Sequence, residues 1–226
     1  MWKDTENHDL YQGDIAGVED WEDLTAVAQL GRRWPGGIVP YRISLEFNYA
    51  QRSLILEAMA HWENKTCIKF VERSGDFDEN FLYIHNNRIT PGCWAQIGYL
   101  SHKRPNLLSL HPSGCFYLGT VLHELGHAIG FYHEHTRYDR DLYLDILWDN
   151  IEANHHTQFY IPTPHDMQLL DSFDYDSIMM YGDNAFSTDG SKKTMVSKDG
   201  RPLRPIIDKK TLTDADIRRA NQLYEC

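Results

Sequence analysis

The stretch His123-Glu124-Leu125-Gly126-His127-Ala128-Ile129-Gly130-Phe131-Tyr132-His133-Glu134 decides how the rest of the 226-residue chain is read. Residues four apart on a helix share a face, so His123 and His127 present two imidazole nitrogens to one point while Glu124 projects beside them. Gly130 tolerates a positive φ, so the chain can leave the helix there and swing His133 back as a third nitrogen donor. Three protein ligands leave a fourth position open for water, which marks a catalytic rather than a structural zinc site. Zinc lowers the pKa of such a water to about 7, and a carboxylate placed like Glu124 takes its proton as general base and later returns it as proton donor. A bare His-Glu-x-x-His pair arises by accident on helix surfaces, whereas its extension through Gly130 to His133 ties every fixed position to one mechanism. The nine other histidines, His8, His61, His85, His102, His111, His135, His155, His156 and His165, show no second ligand spacing and read as surface or hydrogen-bonded side chains.

Outward from this helix, set at Thr120 to Ile129, the pattern is α+β. Ile38 to Phe47 reads as a strand, and Leu54, Ala58, Met59 and Trp62 recur at helical spacing within a helix over 49–63. Lys65 to Glu72, Phe81 to His85 and Trp94 to Leu100 are short strand candidates. The half that follows the central helix is mostly loop until a last helix from about Asp214 to Tyr224, where Thr213 and Asp216 form a capping box with Asp in place of Glu. No internal repeat is present.

Composition narrows the class. Lys and Arg number 22 against 33 Asp and Glu, a net charge of −11, so a duplex nucleic-acid binder is excluded for want of clustered base. Residues 1–24 carry one base, Lys3, against eight acids, so −7 of the −11 sits in a short leader and −4 in the remainder. No run approaches the roughly 18 apolar residues of a membrane span, so no membrane partner is expected. The opening residues lack a signal-peptide core, so any export signal is expected to be already removed or replaced by an initiator Met. Four cysteines, Cys67, Cys93, Cys115 and Cys226, without a C-x-x-C pair, fit disulfides and an oxidising compartment better than a structural metal site. Three pairings are possible; the short 93–115 segment and the C-terminal position of Cys226 favour 93–115 and 67–226.

The run HELGHAIGFYHEHTRYDRD at 123–141 resembles the signature of the astacin family of metzincin zinc endopeptidases. Ser177-Ile178-Met179-Met180-Tyr181-Gly182 looks like that family's Met-turn, which implies Met179 as the apolar floor below the ligands and Tyr181 as the tyrosine that stabilises the transition state. Met180 departs from the pattern, since many members have His there, and no role is carried over to it. Further matches run in order through Trp34-Pro35, His61-Trp62-Glu63, Gly92-Cys93-Trp94, Gly114-Cys115 and Asn221-Gln222-Leu223-Tyr224, so the resemblance covers about residues 25–226. It implies the disulfides Cys67–Cys226 and Cys93–Cys115. It also implies a two-subdomain fold with a twisted mixed sheet, an active-site helix and a deep cleft between an upper part, about 25–130, and a lower part, about 131–226.

The same resemblance gives the leader a purpose. Family propeptides carry an aromatic-x-Gly-Asp motif whose aspartate takes the water's place on zinc, and Tyr11-Gln12-Gly13-Asp14 is similar to it, with Tyr for Phe. Residues 1–24 are then a propeptide and Asp14 a fourth zinc ligand of the latent form only. Activation is expected near Leu24 or Thr25 by an activating protease or self-cleavage; no Lys or Arg lies between Lys3 and Arg32, so a trypsin-like enzyme finds no site at that junction. The freed terminus would reach Glu134. The expected product is a secreted, monomeric minimal catalytic unit that cuts internal peptide bonds of protein or peptide substrates lying antiparallel to an edge strand near Trp94 to Gly98. Lys209 stands where some relatives place a base that favours acidic residues after the scissile bond. The competing reading is a catalytically silent zinc-containing binding or matrix-adhesion module.

Overall fold

Apolar residues of the first half are gathered into six strands that share one sheet: β1 Ile15–Ala16, β2 Ile38–Ile43, β3 Lys69–Glu72, β4 Leu82–His85, β5 Cys93–Gln96 and β6 Asn106–Leu110. The computed structural model describes residues 10–17, 32–73, 80–101, 105–161 and 169–226. Within them the strand order is β1-β5-β6-β4-β2-β3, with β5 antiparallel to β6 and every other pair parallel. The leader therefore supplies a strand of its own, with Ile15 opposite Ala95 and Ala16 opposite Gln96. Strand β6 has no counterpart among the expected segments: Asn-Leu-Leu-Ser-Leu lacks both β-branched residues and alternation because four of its five side chains are buried between neighbours on both sides. Strands β2, β3 and β4 fall inside the expected segments but are shorter, β2 stopping at Ile43, while β5 starts at Cys93, one residue before its expected segment, and ends at Gln96.

Two helices cover the sheet. Helix α1, Tyr49–Glu63, starts at Asn48, whose side chain accepts from the Gln51 amide while the Gln51 side chain accepts from the Asn48 amide. Its Ile55, Ala58, Met59 and Trp62 are buried in the main core together with Val121, Leu122 and Leu125 of helix α2, Leu118–Ala128. Ten of the eleven residues of α2 are buried, so His123, Glu124 and His127 lie within the protein rather than on a solvated face. Its C-terminal carbonyls are satisfied by distant side chains: the Trp34 indole donates to Ala128 O at 2.8 Å and the Tyr224 hydroxyl to Ile129 O at 2.8 Å. Gly130 then takes φ +115°, the turn that ends the helix as expected.

Beyond Gly130 the chain runs in short turns with one small antiparallel pair, β7 Leu144–Ile146 with β8 Met195–Ser197, around a second apolar cluster that includes Phe159, Met180, Tyr181, Phe186 and Ile206. Cys67–Cys226 and Cys93–Cys115 are both bonded. Helix α3, Asp214–Leu223, begins at the expected capping box of Thr213 and Asp216. Asp216 does a second thing: its carboxylate accepts from the Ser177 hydroxyl at 2.6 Å and from the Ile178 amide at 2.9 Å, fastening the turn at 177–181 to the start of α3. No helix among the described residues is long and apolar enough to cross a membrane. Replacing Asp216 with Ala strips two buried donors of their acceptor and removes half the capping box. We expect a loss of about 3 kcal/mol in urea unfolding, larger than the roughly 1 kcal/mol of a simple cap deletion.

Candidate active site

Helix α2 carries His123 and His127 one turn apart, and the reversal at Gly130 returns His133 to the same point, as the spacing requires. The three Nε2 atoms lie 3.0, 3.2 and 3.2 Å from one another, and all three rings are fully buried. Asp14 enters from the leader: Oδ2 is 2.9 Å from His123 Nε2, and Oδ1 is 3.1 Å from His133 Nε2 and 3.3 Å from His127 Nε2.

Hydrogen bonding on the far side of each ring fixes what these atoms are. His123 Nδ1 lies 2.8 Å from Ile178 O, His127 Nδ1 2.7 Å from Phe131 O and His133 Nδ1 2.8 Å from Gln12 Oε1. A carbonyl oxygen only accepts, so each Nδ1 holds the proton and each Nε2 is left with a lone pair. Burial, opposed by Asp14, pushes His123 down and His133 down to about 3, which keeps those rings neutral. Three lone pairs and a carboxylate thus face one another at one fully buried point, and Asp14 Oδ1 has no hydrogen-bond donor among the described residues. Such a set repels itself unless a cation lies between. Ring nitrogens bonded at about 2.0–2.1 Å to a tetrahedral ion sit about 3.3 Å apart, close to the spacing found, so the residues fit zinc.

Around this centre, Glu124 is fully buried and neither carboxylate oxygen has a hydrogen-bond partner among the described residues; burial, reinforced by the nearby Asp14 charge, raises its proton affinity well above the usual carboxylate range. The Tyr181 hydroxyl lies 2.6 Å from Asp14 Oδ2 and 3.0 Å from Gln12 O. Met179 sits beneath the helix, so close that a Cβ on Gly126 would lie 2.5 Å from its sulfur. Met180 is buried in the second cluster, where an apolar thioether fills the space. Gly13 has φ +91°, and a Cβ there would lie 2.6 Å from the Phe186 ring, so the residue before Asp14 must be glycine.

Two further expected positions have buried partners. Glu134 is buried and paired within the body: Arg219 Nη1 and Nη2 each donate to it at 2.8 Å, Arg137 lies at 3.4 Å, and the Asp174 amide donates at 2.7 Å. Lys209 is a correction to the expectation of a substrate-facing base. The turn at Ile206–Asp208 packs against α2 and aims the side chain inward, where its ammonium donates to the carbonyls of Ser177 and Met180. Leu24, Thr25, His8, His102 and His165 lie outside the described residues.

Ligand spacing alone passes over His135, whose ring is fully buried and stacks on Tyr181 at 4.9 Å and 20°. Its place two residues after His133 is the one signal the sequence offers. The Nδ1 acceptors are equally hidden, two being backbone carbonyls without a side-chain signature.

With this geometry, relatives are informative. The family model described as Astacin, a peptidase family, matches residues 26–225. The chain belongs to the astacin family. It therefore carries a zinc metalloendopeptidase domain, with the α+β fold of that family. It is 40% identical to Zinc metalloproteinase nas-4 of Caenorhabditis elegans over 202 residues, 89% of this chain and 62% of that protein. It is 40% identical to Astacin-like metalloprotease toxin 1 of Loxosceles intermedia over 221 residues, 96% of this chain and 81% of that protein. Among solved structures, High choriolytic enzyme 1, a hatching enzyme zinc-protease from Oryzias latipes, superposes with TM-score 0.73 at 36% identity, covering 86% of this chain and 93% of that one. The chain spans less than two thirds of the nematode protein's length.

A nitrogen-rich donor set selects zinc over magnesium or calcium. Equilibrium dialysis of the full chain should give one zinc per chain, and His127→Ala should lower that affinity at least a hundredfold without admitting magnesium.

Proposed function

We propose that the chain is the latent form of an endopeptidase that cuts internal bonds of protein substrates, and that residues 1–24 are the propeptide that keeps it latent. The observation that carries this reading is the juxtaposition of an unpartnered, proton-hungry Glu124, the Tyr181 hydroxyl and three aligned imidazoles around one point that Asp14 fills.

His123, His127 and His133 would hold the zinc, and Asp14 would be its fourth ligand before activation. Zinc, when bound, polarises the scissile carbonyl and makes the attacking water acidic. Glu124 takes the proton of that water and delivers it to the leaving nitrogen, a task suited to a carboxylate whose proton affinity burial has raised. Tyr181 donates its hydroxyl to the oxygen that becomes negative. In the uncut chain the same hydroxyl lies 2.6 Å from the Asp14 carboxylate, which stands in for that oxyanion. Met179 supports the ligand helix from below.

The leader's course supports latency. Strand β1 lies on the outer edge of β5, and Asp14 O accepts from the Ala95 amide at 3.0 Å, so the backbone groups that would capture an extended substrate are taken. It runs parallel to β5, the reverse of the antiparallel substrate expected by resemblance, so its peptide bonds meet the catalytic groups backwards. A family match that starts at residue 26 supports a boundary near Leu24 and Thr25. The freed terminus would then approach Glu134, joining Arg219 there. Four cysteines all consumed in disulfides support a secreted protein. Substrate pairing requires no second subunit, so a monomer is proposed.

Glu124→Gln in the leader-free chain should keep its zinc and lose activity on casein by about 10³-fold or more; full turnover would sink the assignment. Asp14→Ala in the uncut chain should release activity that the parent lacks, read with an internally quenched peptide. Equal silence of both uncut proteins would remove the latency reading.

A further inference from the structure

His123 and His127 take their Nδ1 acceptors, Ile178 O and Phe131 O, from the body of the protein. His133 takes its acceptor from the leader: Gln12 Oε1, at 2.8 Å. This contact is built. Gln12 is fully buried although it belongs to the acidic leader, and its backbone sits at φ +51°, a region a non-glycine residue enters rarely. The amide is held from its other end, Nε2 donating to the Tyr11 hydroxyl at 3.1 Å, and Thr136 Oγ1 lies 3.4 Å from the same Oε1. Turned over, the amide would oppose its NH₂ to the Nδ1–H of His133, so the oxygen must face the ring.

We propose that Gln12 is a positioning residue for the third zinc ligand, so that the leader retains the metal as well as covering it. This rests on the reading of residues 1–24 as the latency segment. Gln12 acts through His133: accepting from Nδ1 fixes the tautomer, turns the ring and raises the basicity of Nε2 toward the ion. Cutting the leader then removes two things at once, the Asp14 carboxylate from the centre and the hydrogen-bond acceptor from behind His133. His123 and His127 keep theirs. The activated enzyme holds zinc with one ligand less well oriented, and the uncut chain is the form in which metal is best retained.

The test uses the full chain, uncut, with zinc retention read by competition against a chromogenic zinc chelator. Gln12→Met keeps the length of the side chain and removes the acceptor; it should weaken retention by about 10- to 100-fold, the range found for partners behind metal ligands. Gln12→Asn, one methylene short of His133, should weaken it too and serves if the Met variant folds poorly. Gln12→Glu retains an acceptor and should recover parental retention, a rescue that loss of mere packing would not produce. Zinc retention within about twofold of the parent for both Met and Asn variants, or no recovery with Glu, overturns the proposal. All three variants keep Asp14 and should stay inactive while uncut. Asp14→Ala separates the two readings: if it stays inactive and retains zinc like the parent, the latency reading fails whatever Gln12 does.

Discussion

Three imidazole lone pairs and a carboxylate brought to one buried point constitute a repulsion that a cation relieves, and much of the architecture serves to hold that arrangement against itself. Helix α2 is buried on nearly every side, which fixes His123 and His127 without freedom to turn outward. Each ring is pinned from behind by an oxygen, so that none can satisfy itself by flipping. Trp34 and Tyr224, from opposite ends of the chain, hold the carbonyls at the helix end just before His133 departs. Below, Asp216 and Lys209 clasp the turn that carries Met179 and Tyr181. The uncompensated cost of these polar atoms in an apolar core is converted into metal affinity, since binding the ion recovers what folding left unsatisfied.

The leader meets this centre as a fragment of fold rather than a loose strap. Gln12, Gly13 and Asp14 are buried, Ile15 joins the sheet, and Gly13 fits beneath Phe186 only because it lacks a side chain. Of eight acids in residues 1–24, Asp14 is the one whose charge is brought to the metal ligands among the described residues. The charge excess of the whole chain therefore says little about the catalytic body, which carries the smaller share.

What the sequence made legible was local. Ligand spacing, a glycine stop and a capping box each depend on residues within a turn or two, and His123, His127, His133, Gly130, Thr213 and Asp216 stand where those rules put them. What it concealed was long-range or carried by backbone. Nothing in Asn106–Leu110 alternates, because a strand buried on both faces needs no polar side. The acceptors behind His123 and His127 are carbonyls, available from any residue. Arg219 lies 85 positions from Glu134, and no periodicity links them. The resemblance places Lys209 facing substrate; the packing of its turn on α2 turns it inward, a contact no local pattern announces.

Strand β5 has a neighbour on each side while the leader is in place, but it is the leader that closes the sheet there. The opposite border, β3, exposes Lys69 and Glu72, charged side chains of the kind that discourage another chain from adding on. All four residues of β5 are buried, so it has no such guard of its own. Without β1 the unpaired backbone groups on that side of β5 would form an uncharged sheet edge. On the proposed reading of residues 1–24 as a propeptide, the segment that carries Asp14 to the histidines thus also covers the border of the sheet, two tasks joined by the single residue between Gly13 and Ile15.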